Sequence, residues 1–201
     1  MKQAMLTTMF TAVLAALLAS APAVAQGAGA WGFDPGILAA SGSDLLRRAP
    51  NAEIDGLFQA VHGAAQETHD AQAMCALFEP DADRSLDGLN AVASQLGPTS
   101  RRRFANAIAN ALVVAVQSPP QAFDAATARQ SLKAAGVTAA ILHDGFIAGL
   151  NTSASDAGSR GARCQSLRWL LDAMQSRPQG ERAAMTRLLL DEGLARLAPA
   201  P

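Results

Sequence analysis

Residues 51–78 read NAEIDGLFQAVHGAAQETHDAQAMCALF. Within them Ile54, Phe58, Val61, Ala65, Thr68, Gln72 and Cys75 recur at steps of three and four. That period gathers side chains on one side of a helix. The resulting stripe is mostly apolar, so the helix needs other helices to cover it. The rest of the chain agrees. It has no Tyr and only 4% aromatic residues, while Ala, Leu and Gln abound, a composition that favours helix and disfavours sheet. Gly, Pro and Ser interrupt it at short intervals, which predicts a series of helices rather than one rod.

Outward from 51–78, Asp34-Pro35 opens a helix to about Arg48, with proline at the first helical position. Asn51 caps the long helix. Glu79–Arg84 is an acidic loop containing Pro80, and Ser85 to Leu96 forms a shorter helix stopped by Gly97-Pro98. Thr99 or Ser100 caps the next, whose inner face is Phe104, Ala107, Ile108, Ala111, Leu112 and Ala115, ending at Pro119-Pro120. A helix from Asp124 to Ala135 is closed by Gly136. Thr138 to Leu150 is apolar on most sides, which predicts a central position. Asn151–Gly161 reads as the longest loop, followed by helices over about Ala162–Gln175 and Gln179–Leu197. The expectation is an all-α single domain over 34–198, an irregular, orthogonal bundle of about seven or eight helices with one disulfide.

Ahead of that domain, Lys2, an apolar run over Met5–Leu18 and Ala23-Val24-Ala25 have the layout of a cleaved export signal, residues 1–25. A flexible arm, 26–33, carries Trp31 and Phe33. Residue 26 is Gln, so no lipid-anchoring thiol follows the cut. No later apolar run reaches the ~18–20 residues a spanning helix requires, so the mature product is expected to be soluble, without a membrane span. An exported chain meets an oxidising compartment, so its two thiols, Cys75 and Cys164, are expected to pair. Closing a loop of about 90 residues is worth ~4 kcal/mol in the chain-entropy model. The periplasm is the expected destination and the extracellular space the alternative.

No constellation satisfies a catalytic or metal motif. His62 and His69 stand two turns apart on one helix, ~10 Å along the axis, too far to share a metal ion. His143 and Asp144 are adjacent, so on a helix they point ~100° apart. Asp81, Asp83, Ser85 and Asp87 begin like a calcium loop, but Leu86 and Val92 stand where it needs Gly and Glu. Gly145 and Gly149, one turn apart, suit close helix packing or a slim apolar ligand. No cofactor is implied. The chain has 16 basic and 17 acidic residues, a balance that argues against nucleic-acid binding. The charges are segregated, however. Asn51–Asn90 has eight acids and one base, whereas Arg160–Arg187 has six arginines against Asp172 and Glu181. These segments either complement one another within the monomer or steer a charged partner. Arg101, Arg102 and Arg103 open a helix, where the macrodipole opposes them, and so form a candidate anion or acidic-partner site. With Trp31 and Phe33 they are the candidate binding residues. The expected role is non-catalytic: binding another envelope or secreted protein as accessory, adaptor or inhibitor. The alternatives are a hydrolase with dispersed groups around His143 and a carrier of a small apolar ligand.

Overall fold

A computed structural model describes residues 35–79 and 81–197, with side chains described from 42 onward except 86, 196 and 197. The export signal, its cut after Ala25, the arm with Trp31 and Phe33, and Pro80 lie outside the described residues. The described residues hold nine α-helices and no strand. They are α1 (Pro35–Arg48), α2 (Asn51–Gln66), α3 (Thr68–Cys75), α4 (Leu86–Gln95), α5 (Pro98–Gln117), α6 (Ala125–Leu142), α7 (Phe146–Asn151), α8 (Ala157–Gln175) and α9 (Gln179–Leu197), with a single 3-10 turn, Ala76–Phe78, after α3.

The long helix expected over 51–78 is broken at Glu67, whose backbone is extended (φ −88°, ψ 121°). Unbroken, it would span about 42 Å at ~1.5 Å per residue, more than a core of this size can cover. The break turns α3 onto α8. Gly136 does not stop α6, because a mid-helix glycine costs only ~1 kcal/mol and Ala128, Ala135 and Ala139 bury a common stripe across it. The break comes instead at Gly145, in the left-handed region at φ 88°. The loop expected over Asn151–Gly161 is short. Asp156 caps α8 by accepting from the Ser159 N–H at 3.0 Å, so helix begins at Ala157. In α5 the N-cap is Gly97 with Pro98 at N1, and α2 is capped by Pro50 rather than by Asn51.

α2 and α9 form the spine, with α5 and α8 also against α2, and α1 and α6 against α9. One core cluster joins Phe58, Ala135, Ala139, Phe146, Ala173, Met174 and Met185. The other joins Leu46, Ala49, Ile54, Ala115 and Ala183. Alanine at so many buried positions lets helix axes approach closely. Gly149 carries this furthest, since a Cβ there would lie 2.2 Å from Ser166 Oγ and 2.5 Å from the Ala162 carbonyl oxygen. The space beside Gly149 is therefore filled by α8.

The segment 138–150 is not central as expected. Ala139, Phe146 and Gly149 are buried, but Ile141 and Leu142 are 77% and 67% exposed and Ile147 is 55% exposed. Residue 141 lies ~200° round the helix from Ala139 at ~100° per residue, so burying the alanine stripe turns the large aliphatics outward.

The charged segments complement one another inside the monomer. Arg182 holds Asp55 through two bonds of 2.8 and 3.0 Å, and Arg163 holds Glu79 at 2.5 Å. All four side chains are at most 16% exposed. Cys75 and Cys164 are bonded across α3 and α8, 89 residues apart in sequence. The purified protein should therefore present no free thiol to a mass label. The double variant Cys75→Ser/Cys164→Ser should melt roughly 10 °C lower, from ~4 kcal/mol of loop entropy and ~2–4 °C per kcal/mol. Two reactive thiols in freshly purified protein would contradict the pairing.

Candidate functional site

Four regions have the makings of a site. The first is the arginine triplet. Because α5 starts at Pro98, Arg101, Arg102 and Arg103 occupy its fourth to sixth positions, past the first three residues where the macrodipole is most adverse. Arg101 is half-buried, and Arg102 and Arg103 are exposed. The Arg103 guanidinium lies against α2, where a Cβ on Gly63 would come within 2.9 Å of Nη1. Among the described residues none of the three pairs with a carboxylate. Asp83, in the acidic loop, accepts the Ser85 N–H at 2.9 Å.

The α5 N-terminus is held by Asp70, a buried carboxylate on α3 whose Oδ1 accepts the Gly97 N–H at 2.8 Å. Burial alone would raise its pKa. The Ser100 hydroxyl, the Gly97 N–H and His69, at 3.1 Å, outweigh burial and hold it below the ordinary 3.8.

The second region is the corner between α6 and α7. Val137 and Ile141 lie one turn apart on α6, Leu142 ends that helix, and Ile147 and Leu150 follow on α7; all five are exposed. The third is an apolar cavity of about 280 Å³ bounded by α1, α2, α5 and α9, with Leu45, Leu57, Phe104, Ile108, Leu112 and Leu194 in its walls. It lies far along the chain from Gly145, where the carrier alternative places a slim ligand. The fourth is a cleft of about 480 Å³ between α3 and α8, lined by the bridge, Arg160 and Arg168.

The histidines do not converge. His62 Nε2 lies 2.9 Å from Asp172 Oδ1, which also accepts from Gln66 at 3.0 Å. His69 is three-quarters exposed beside Asp70. His143 lies flat on Trp169, with ring centroids 4.5 Å apart and planes 3° from parallel, and no hydroxyl or carboxylate among the described residues bonds it. That is a packing role, without the oriented base of a hydrolytic triad.

Sequence reasoning missed the corner and the cleft. The corner was visible as aliphatics on the side opposite the alanines, a signal hidden by reading 138–150 as apolar on most sides and therefore central. The cleft had a signal in Arg160 and Arg168, two turns apart on α8.

No family model matches the chain, and no curated protein or solved structure matches it. Its function must be argued from these regions.

Asp70 supplies a pH test of the α5 anchor. Its folded pKa is depressed, so its stabilisation is complete above the unfolded value near 3.8 and is lost as pH falls through the folded one. Asp70→Ala should cost about 1–3 kcal/mol at pH 7 in urea denaturation, and its gap from the parent should close toward pH 3. A gap independent of pH would contradict the anchor.

Proposed function

We propose that the mature chain is a soluble, exported, non-catalytic protein that binds another protein of the cell envelope or of the secreted set, as an accessory, adaptor or inhibitor. The observation that carries this reading is the α6–α7 corner. Single exposed aliphatics are ordinary, but five fall within 137–150, and concentrated exposed apolar surface marks protein interaction sites. The unpaired guanidiniums of Arg102 and Arg103 support it, since exposed charge guides encounter and selects among partners. Trp31 and Phe33 complete the proposed contact set as large apolar anchors. The internal pairing of Arg163 and Arg182 narrows the argument from charge: the segregated charges largely serve the fold, and the steering falls to α5.

The proposed location is the periplasm, after cleavage following Ala25, with the extracellular space as the other destination. The bridge supports export, because disulfides persist in oxidising compartments. No described helix is long and apolar enough to cross a membrane. The apolar cavity favours a second reading, a carrier of a slim apolar ligand, since its walls offer such a ligand almost no polar partner.

Tagged mature protein cross-linked in an envelope extract should capture one specific protein. Ile141→Asp with Leu142→Asp should reduce capture at least 10-fold, as loss of a hot spot does. Both side chains are mostly exposed, so melting should stay nearly unchanged. Capture that survives both this variant and Arg101→Gln/Arg102→Gln/Arg103→Gln would overturn the reading. A lipid mass retained on the intact protein in native mass spectrometry would favour the carrier.

A further inference from the structure

The cleft between α3 and α8 is walled by Thr68, Gln72, Arg160, Gln165 and Arg168, with the Cys75–Cys164 bridge joining its two sides. Its one lining carboxylate, Glu79, is already taken by Arg163, whose Nη1 also donates to the Thr152 carbonyl at 2.7 Å. The charge left unbalanced in the cleft is therefore positive. Arg160 is positioned by a bond to the Ser155 carbonyl oxygen. Arg168 has no hydrogen-bond partner among the described residues, and its Nε is buried and unbonded. Asp172, one turn further along α8, is not within ion-pair distance of it; that carboxylate is engaged by His62 and Gln66. A guanidinium whose buried N–H lacks an acceptor is costly, and in a concave, donor-rich setting it calls for an anionic acceptor from outside.

We infer that this cleft binds an acidic peptide segment, with Arg168 gripping one carboxylate and Arg160 a second. Gln72, Gln165 and Thr68 supply neutral donors between and beside them. The spacing sets the ligand. Residues 160 and 168 are separated by ~12 Å along the helix, which an extended peptide covers in about four residues at ~3.3 Å each. Two glutamates four apart on an extended strand therefore match the two guanidiniums. The bridge holds the walls at a fixed separation, so affinity depends on the oxidised state. The inference rests on the binding-protein reading only for the source of the ligand, an acidic segment of the partner. The site is separate from the α5 arginines and from the α6–α7 corner.

The probe is a synthetic Gly-Glu-Ser-Ser-Ser-Glu-Gly peptide, capped at both ends, titrated into oxidised mature protein by calorimetry and by amide and guanidinium NMR shifts. Its Gln-for-Glu counterpart is the control. Saturable binding of the Glu peptide alone is expected, with shifts at Gln72, Gln165 and the Arg168 Nε–H. Arg168→Gln should weaken binding at least 10-fold and Arg160→Gln about threefold, while Arg101→Gln/Arg102→Gln/Arg103→Gln stays within twofold. Equal binding of the two peptides, or shifts confined to other surfaces, would overturn the site even if Arg168→Gln failed to fold. Peptide binding without any protein captured from the envelope would count against the binding-protein reading and leave the site standing. Capture without peptide binding would do the reverse.

Discussion

The arrangement depends on one buried cation. Arg187, on α9, is 2% exposed, yet it faces no carboxylate among the described residues. Its guanidinium donates to the carbonyl oxygens of Leu46 and Ala49 and to Asn51 Oδ1, and lies 5.9 Å from the centre of the Phe123 ring. Those oxygens belong to the end of α1 and the start of α2, where a helix C-terminus leaves carbonyls without intrahelical partners and carries partial negative charge. Burial draws the arginine pKa down, but the acceptors make the charged form tenable inside the protein. One side chain thus ties three helices at the point where the core of Leu46, Ala49, Ile54 and Ala183 begins.

The same economy runs through the second half of the chain. Arg182 locks α9 to α2 through Asp55, and Arg163 locks α8 to the turn after α3 through Glu79. Such pairs add little net stability against an apolar replacement but are costly to break singly, so they specify which helix faces which. With those arginines committed, the described cations that have no carboxylate partner and stand together are Arg101 to Arg103 on α5, and Arg160 and Arg168 in the cleft, while Arg84, Lys133 and Arg177 stand singly. The proposed binding role therefore rests on these two clusters. His62, His69 and His143 each stand against a different neighbour.

Much of the architecture was legible in the sequence. The stripe beginning at Ile54 and Phe58, the helix starts at Ser85 and Asp124, the stop at Pro119-Pro120 and the run Gln179–Leu197 all emerged from local chemistry, and the Cys75–Cys164 pairing followed from two thiols in a chain read as exported. What escaped were decisions made by packing. Nothing local marks Glu67 as a break, because the bend serves the approach of α3 to α8. Gly136 looked like a stop and was carried through by the alanine stripe around it, while Gly145 became the turn. The aliphatics of 138–150 suggested burial, but the smaller residues won the interior because they let helices approach more closely. Of the candidate site, the arginine triplet was visible, whereas the cleft required knowing that α3 and α8 face each other.

The most direct test of this account is the stability of Arg187→Met, which keeps the side chain's bulk and removes the guanidinium. Urea denaturation with hydrogen exchange on the folded variant should show a loss of about 3 kcal/mol or more, as for a buried, fully bonded charge removed from its acceptors. Exchange should rise first in α1 and the α1–α2 turn. A loss under about 1 kcal/mol, with α1 as protected as in the parent, would mean that the helices are held by apolar burial alone and that the buried cation does not organise the fold.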